Sequence, residues 1–196
     1  RCRKEIIMST QVRAKTINGV DVDELMGHVE AMKDSPDLAH FEFRAHSEWI
    51  DGARSQTEIK DFYGAGKEDT SREEPFVLRG DEPPLLLGDN TAPNAVETVL
   101  HGLAGCLAVG IAYQAAVRGI EIESLEFDLE GTLDLRGFLG ISKDVRPGFQ
   151  DVRVNYRVKT DASQEQIEEL CEYVQETSPV LDIIRKRVPF SVGLER

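Results

Sequence analysis

One stretch decides what this chain can fold into: Asn94 to Gly119, NAVETVLHGLAGCLAVGIAYQAAVRG. Val96, Val99, Leu100, Leu103, Cys106, Leu107, Val109, Ile111, Tyr113 and Ala116 leave no broad polar stripe at helical spacing. A helix that is apolar on all sides is buried, in a protein core or in a membrane. Glu97, His101 and Gln114 interrupt the run, and the chain around it is highly charged. A central core helix is therefore expected rather than a membrane span. Asn94 with Glu97 three residues on forms a capping-box pattern, and Gly119 after Arg118 is a C-terminal stop signal. Cys106 sits at mid-helix.

The rest of the chain bounds the function. With 196 residues, 40% of them apolar, it suits one domain with a long arm. A net charge of −13 argues against nucleic-acid backbones and anionic membrane surfaces. No signal-peptide pattern or second long apolar run is present, so a cytoplasmic protein is expected. The three cysteines have no metal-ligand spacing. No cofactor or metal is expected, and no dinucleotide, P-loop or Ser-His-Asp pattern occurs. The residues before Met8 do not read as a folded element, and Cys2 is given no role.

Before the central helix, Asp21 with Glu24 starts a short amphipathic arm helix that runs to about Lys33. From Leu38 the period changes to two, with Phe41, Phe43, Ala45, Ser47 and Trp49 on one face. Asp51-Gly52 marks a hairpin, and Arg54 to Phe62 is its return strand. Gly64 to Glu74 reads as a loop or hairpin tip, and Pro75 to Leu78 as a short strand. After the helix, Ile120 to Leu135 pairs with Phe149 to Lys159. Ser163 with Gln166 caps a helix striped by Ile167, Leu170, Cys171 and Val174. Pro179 starts a further short helix, and Val188, Phe190, Val192 and Leu194 alternate as a last strand. Strands grouped on either side of helices indicate an α+β fold with antiparallel sheets.

Several of these segments together resemble the OsmC/Ohr family, the osmotically induced and organic hydroperoxide resistance proteins. They are Asp81-Glu82-Pro83, Leu86-Leu87-Gly88, Ala92-Pro93-Asn94-Ala95-Val96-Glu97, Leu103-Ala104-Gly105-Cys106-Leu107, Ala115 to Ile120, Leu133 to Pro147 and Ser178-Pro179-Val180. The likeness spans about Leu38 to Leu194. It implies an arm over residues 1–37 and an OsmC-like domain over 38–196. The implied domain has two central helices wrapped by antiparallel sheets and forms an intertwined homodimer. It also implies that a thiolate at Cys106 attacks an organic hydroperoxide, a second cysteine resolves the sulfenic acid, and a dithiol reductant restores the thiol.

Three positions depart from the family's peroxidases. Ser178 stands where the second cysteine is expected, Ile50 where an arginine precedes the hairpin turn, and Val96 where a glutamate lies. The chain thus resembles a branch lacking the second cysteine before Pro-Val. Cys171 is the candidate replacement resolver, the alternative being an external thiol. Arg54 and Arg44 are candidate cations for the thiolate, and Glu97 a candidate to orient them. Each also has a plain structural reading: Cys106 and Cys171 as core residues, the arginines on a solvated strand face, Glu97 as a cap, His101 as a core or interface residue.

The function expected is a thiol-dependent, peroxidase-like redox protein acting through Cys106. The alternative is a non-catalytic module holding an apolar ligand in a dimer-interface pocket. Acyl-transfer chemistry at Cys106 has little support, since no histidine is placed nearby as a base.

Overall fold

The computed structural model describes residues 16–195, so Cys2 lies outside the described range. A two-residue hairpin, β1 (Thr16–Ile17) and β2 (Val20–Asp21), opens it. Asn18 and Gly19 both take positive φ, 54° and 77°, the pair of left-handed residues that such a turn needs. The Asn18 amide donates to Ile120 O and accepts from Ile122 N–H, each at 2.9 Å, fastening the hairpin beyond the far end of the central helix. Helix α1 (Val22–Asp34) follows, capped by Asp21, and has no fully buried residue.

The run from Leu38 is more broken than its period suggests. Pro36–Ala39 forms a 3-10 turn, and two strands follow, β3 (Glu42–Phe43) and β4 (His46–Asp51). The return strand is likewise divided into β5 (Arg54–Ile59) and β6 (Phe62–Gly64). The charged segment after it is a hairpin with β7 (Lys67–Asp69), and β8 (Phe76–Gly80) completes this half. Strands β3, β6 and β7 form one antiparallel sheet and β4, β5 and β8 another. Phe41, Phe43 and Phe62 cluster on the first of these, with ring centroids 5.6–6.3 Å apart.

The entry to the central helix turns on Asp81, which is 2% exposed. Its carboxylate accepts from the N–H groups of Glu82, Asp89 and Thr91 and from the Thr91 hydroxyl, at 2.8–3.4 Å. Gly88 lies so near Glu82 that a Cβ there would fall 1.8 Å from the Glu82 carbonyl oxygen. The Thr91 donors, first the N–H and then the hydroxyl, hold the Asp81 pKa down at about 2. Because the folded value lies below the unfolded value of about 3.9, this anchor contributes fully above about pH 4. It is lost as pH falls towards 2. Asp81→Asn is therefore expected to lower the thermal midpoint at pH 7, and the deficit is expected to shrink in scans taken at successively lower pH.

Helix α2 (Ala95–Val117) has its full capping box: Glu97 N–H donates to Asn94 Oδ1 at 2.9 Å and Asn94 N–H to Glu97 Oε2 at 2.8 Å. Gly119, at φ 73°, ends it. Strand β9 (Ile122–Thr132), the one-turn helix α3 (Leu135–Phe138) and β10 (Asp151–Thr160) come next. The β9–β10 pair sets Leu125, Phe127 and Leu129 against Val158, Tyr156 and Val154. Helix α4 (Gln164–Thr177) and helix α5 (Pro179–Arg185) finish the ordered elements. The core joins Leu103, Leu107, Ile111 and Ala115 of α2 to Leu170, Cys171 and Val174 of α4 and Leu181 of α5, with the β9–β10 hairpin as its lid.

The architecture is the α+β, antiparallel one that the sequence indicates. Two expectations need correction. First, α2 is not buried all round in one chain. By length and composition it could cross a membrane, yet it packs one face on α4 and β9 and leaves Val99, Val109, Tyr113 and Val117 exposed. Of the sheets, only β9–β10 packs into this core, and Trp49, Phe76 and Val77 stay exposed. Second, Val188 to Leu194 is not a strand. Phe190, Val192 and Leu194 are 85–87% exposed, and among the described residues this segment pairs with no strand.

Candidate functional site

Cys106 projects from the middle of α2 and is partly buried. Its Sγ lies 3.2 Å from the Ser178 Oγ. Ser178 is itself 4% exposed and caps α5, where its Oγ accepts from the Leu181 N–H at 3.3 Å. With that lone pair occupied, the hydroxyl proton is free to point at sulfur. A thiolate has no proton, so when Cys106 is ionised the bond runs from Ser178 to Sγ. Pro179 presets the first turn of α5 and holds the hydroxyl in place.

Cys171 is elsewhere. It is 3% exposed, within the core. Cys106 meets Ser178, and a Cβ on Gly110 would meet Val174 Cγ1 at 2.7 Å, so α2 and α4 run antiparallel. Continuing that register puts Cys171 opposite the stretch near Tyr113, about 10 Å along the helices from Cys106. A disulfide needs Cα atoms about 4.4–6.8 Å apart. In this arrangement Cys171 does not reach Cys106. Burial pushes the Cys171 thiol pKa up, with the neighbouring Tyr156 hydroxyl pulling it back. Burial likewise pushes Tyr156 up to about 12.

The candidate cations are committed to carboxylates. Arg54 forks onto Asp51, Nε and Nη2 lying 2.7 and 2.6 Å from its two oxygens, and reaches Asp89 at 3.7 Å. Arg44 binds Glu68 at 2.7 Å and Glu42 at 3.2 Å. Glu97 is engaged in its cap and lies nine residues, about 13.5 Å along the axis, from Cys106. His101 is exposed, so it is not a core residue of the single chain. Glu97 and His101 line a cleft of about 540 Å³ beside β8, with Arg79 and Thr98.

The structure thus brings together Cys106 with Ser178 and Glu97 with His101, but neither Arg54 nor Glu97 with the sulfur. The Cys106–Ser178 contact was half legible, since Ser178 fills the position of an expected second cysteine. Arg79 carried no signal in the sequence. Among the described residues no cluster of His, Cys, Asp and Glu is arranged to hold a metal ion. A second cavity of about 560 Å³ lies on the neighbouring face of α2, between it and the β9–β10 hairpin, and Cys106 and Ser178 are not among its lining residues. Chemically, the Cys106 site offers one thiol sulfur and one hydroxyl donor, and among the described residues no second thiol is in reach.

The OsmC-like protein family model matches residues 88–193. No curated protein matches the chain. Among solved structures, an OsmC-like protein from Mycoplasma pneumoniae is similar at 14% identity and a TM-score of 0.57, covering 74% of this chain and 87% of its own. An organic hydroperoxide resistance protein OsmC from Legionella pneumophila is similar at 20% identity and a TM-score of 0.52, covering 73% and 88%. An osmotic stress and detoxification response protein from Psychrobacter arcticus is similar at 12% identity and a TM-score of 0.53, covering 71% and 85%. These likenesses are of fold.

Proposed function

The chain belongs to the OsmC-like family, and from that premise we propose that it is a thiol-dependent redox protein that reduces organic hydroperoxides through Cys106. The observation that carries the reading is the partly exposed Cys106 sulfur with the Ser178 hydroxyl fixed 3.2 Å away. The thiolate attacks the terminal peroxide oxygen. An S–O bond forms, the O–O bond breaks, and the alkoxide leaves and takes a proton to become the alcohol. Cys106 is then a sulfenic acid. Ser178 cannot close a disulfide, and Cys171 lies too far along α4. An external dithiol therefore condenses with the sulfenic acid, releasing water, and its second thiol frees Cys106 as the dithiol becomes a disulfide. Such chemistry suits a reducing, cytoplasmic setting.

The experiment is direct. Cumene hydroperoxide should oxidise the protein stoichiometrically, and a dimedone adduct should map to Cys106. Cys171→Ser should keep its turnover with a dithiol. A disulfide between Cys106 and Cys171, or an adduct elsewhere, would refute the scheme.

The same family reading assigns the working form as an intertwined homodimer. One chain exposes 15736 Å², against about 9,300 Å² for a compact monomer of its 21.9 kDa. A fully extended chain of sixteen residues, the number outside the described range, would expose about 2,800 Å², less than half of that excess. On α2, Gly102, Gly105, Val109, Tyr113 and Val117 form a bare stripe at helical spacing. A side chain added at Gly102 or Gly105 would meet nothing within 4 Å, which suits close approach of a second helix. Val109→Glu should give a monomer by light scattering where the unaltered chain gives a dimer, because a carboxylate there would be desolvated without a partner.

One observation favours the non-catalytic alternative, in which the interface pocket holds an apolar ligand. Arg54 is spent on Asp51 and Asp89 and supports no thiolate within one chain. Ligand carried through purification, with no peroxide-dependent dithiol oxidation, would establish it.

A further inference from the structure

We propose that the cavity behind α2 is a binding site for a single-chain acyl carboxylate, separate from the Cys106 site. The cavity holds about 560 Å³, the size of an ordinary small-molecule pocket. Its walls are mixed: Leu107 and Ile111 of α2, Phe127 and Val154 of the hairpin and Leu181 and Ile184 of α5 supply an apolar side, and Gln150, Tyr156 and Gln175 add polar groups. Cys106 is not among the residues that line it.

Two cations stand at its mouth. Arg146 and Arg185 both line the cavity and are both exposed, which places them at the opening. In a chain with 36 acidic and 23 basic side chains, a cation readily finds a carboxylate. Arg44, Arg54, Arg136, Arg153 and Arg157 do, while Arg72, Arg79, Arg118 and Arg187, like the two at the cavity, do not among the described residues. Among the described residues Arg146 and Arg185 form no ion pair. The single carboxylate in the lining, Asp151, lies 3.8 Å from Arg153 and is matched there.

The Arg146 loop is built closely. Gly137 backs onto it so tightly that a Cβ would fall 2.7 Å from the carbonyl oxygens of Val145 and Arg146. A chamber with one apolar side and guanidinium groups at its rim fits a ligand with an apolar tail and a planar anionic head, since guanidinium and carboxylate match as a bidentate pair. Leu107 and Ile111 lie about 200° round the helix from Val109, so α2 itself separates this site from the bare stripe.

Isothermal titration of the full chain with laurate and with dodecanol, its uncharged counterpart, tests the assignment. Laurate should bind at one site per chain. An Arg146→Gln, Arg185→Gln double variant, altered only at exposed side chains, should bind laurate about tenfold or more weakly. Its binding of dodecanol should not change. Val152→Phe should reduce binding of both ligands by filling the chamber, and Cys106→Ser should alter neither. Laurate binding that is absent, insensitive to the double variant or no tighter than that of dodecanol would overturn the proposal.

Discussion

Cys106→Ser is expected to bring dithiol-dependent consumption of cumene hydroperoxide down to the rate seen without protein, a fall of about a thousandfold or more. A serine hydroxyl keeps the shape and the hydrogen bond to Ser178, so the fold and the dimer should be untouched. What goes is the nucleophile: a hydroxyl oxygen is a far weaker nucleophile than a cysteine sulfur. Coupled turnover, read with the thermal midpoint of the same sample, separates chemistry from unfolding. An unchanged midpoint with lost turnover is the expected pair, and retained turnover would remove Cys106 from the mechanism. Ser178→Ala should lie between, slowing reaction by removing the donor to the sulfur while leaving it able to attack.

Gly110→Ile should have the largest effect on stability. A Cβ at Gly110 falls 2.7 Å from Val174 Cγ1, and Val174 is 2% exposed in the centre of the core. Valine is stiff about its one side-chain torsion and cannot swing aside cheaply. Overpacking of this kind costs about 1–3 kcal/mol, and the branched isoleucine belongs at the upper end. For a chain of this size that is a drop of about 5–10 °C in the thermal midpoint, measurable by calorimetry. The strain has a chemical consequence as well. Pushing α4 from α2 at Gly110 also moves Ser178 from Cys106 one turn away, so residual turnover should fall further than the stability loss explains.

Local signals carried much of this fold. The Asn94–Glu97 and Ser163–Gln166 boxes, Gly119, the Asp51-Gly52 turn and Pro179 each mark an end or a turn where the chain places one. Such signals depend on neighbours three or four residues away, and so survive without knowledge of the rest. Asn18-Gly19 carried an equally clear hairpin signal in a stretch not read as strand. Burial is less local. One chain covers only one face of α2, and the proposed homodimer is what would cover the rest of its apolar surface. The alternating Val188 to Leu194 segment is likewise a strand-like pattern that, among the described residues, pairs with no strand in the single chain.

At the candidate site, the position of Cys106 on its helix was legible, and so was the absence of a second thiol at Ser178. The pairing of Arg54 with Asp51 three residues back was not, because charge spacing on a strand does not say which way a long side chain turns. Nor could spacing within one helix bring Arg146 and Arg185, thirty-nine positions apart in different elements, to one cavity mouth.

The Asn18 clip has a consequence for the order of events during synthesis. Its two hydrogen bonds join positions 102 and 104 residues apart. Closing a free loop of that length costs about 4 kcal/mol, whereas two such bonds return about 2 kcal/mol. The clip therefore cannot recruit the first part of the chain by itself. It forms after α2 and β9 have emerged and packed, so strands β1 and β2 are among the last of the described elements to settle. In the finished protein they are the first to let go, and amide exchange at Ile122 should report that release well before the core opens.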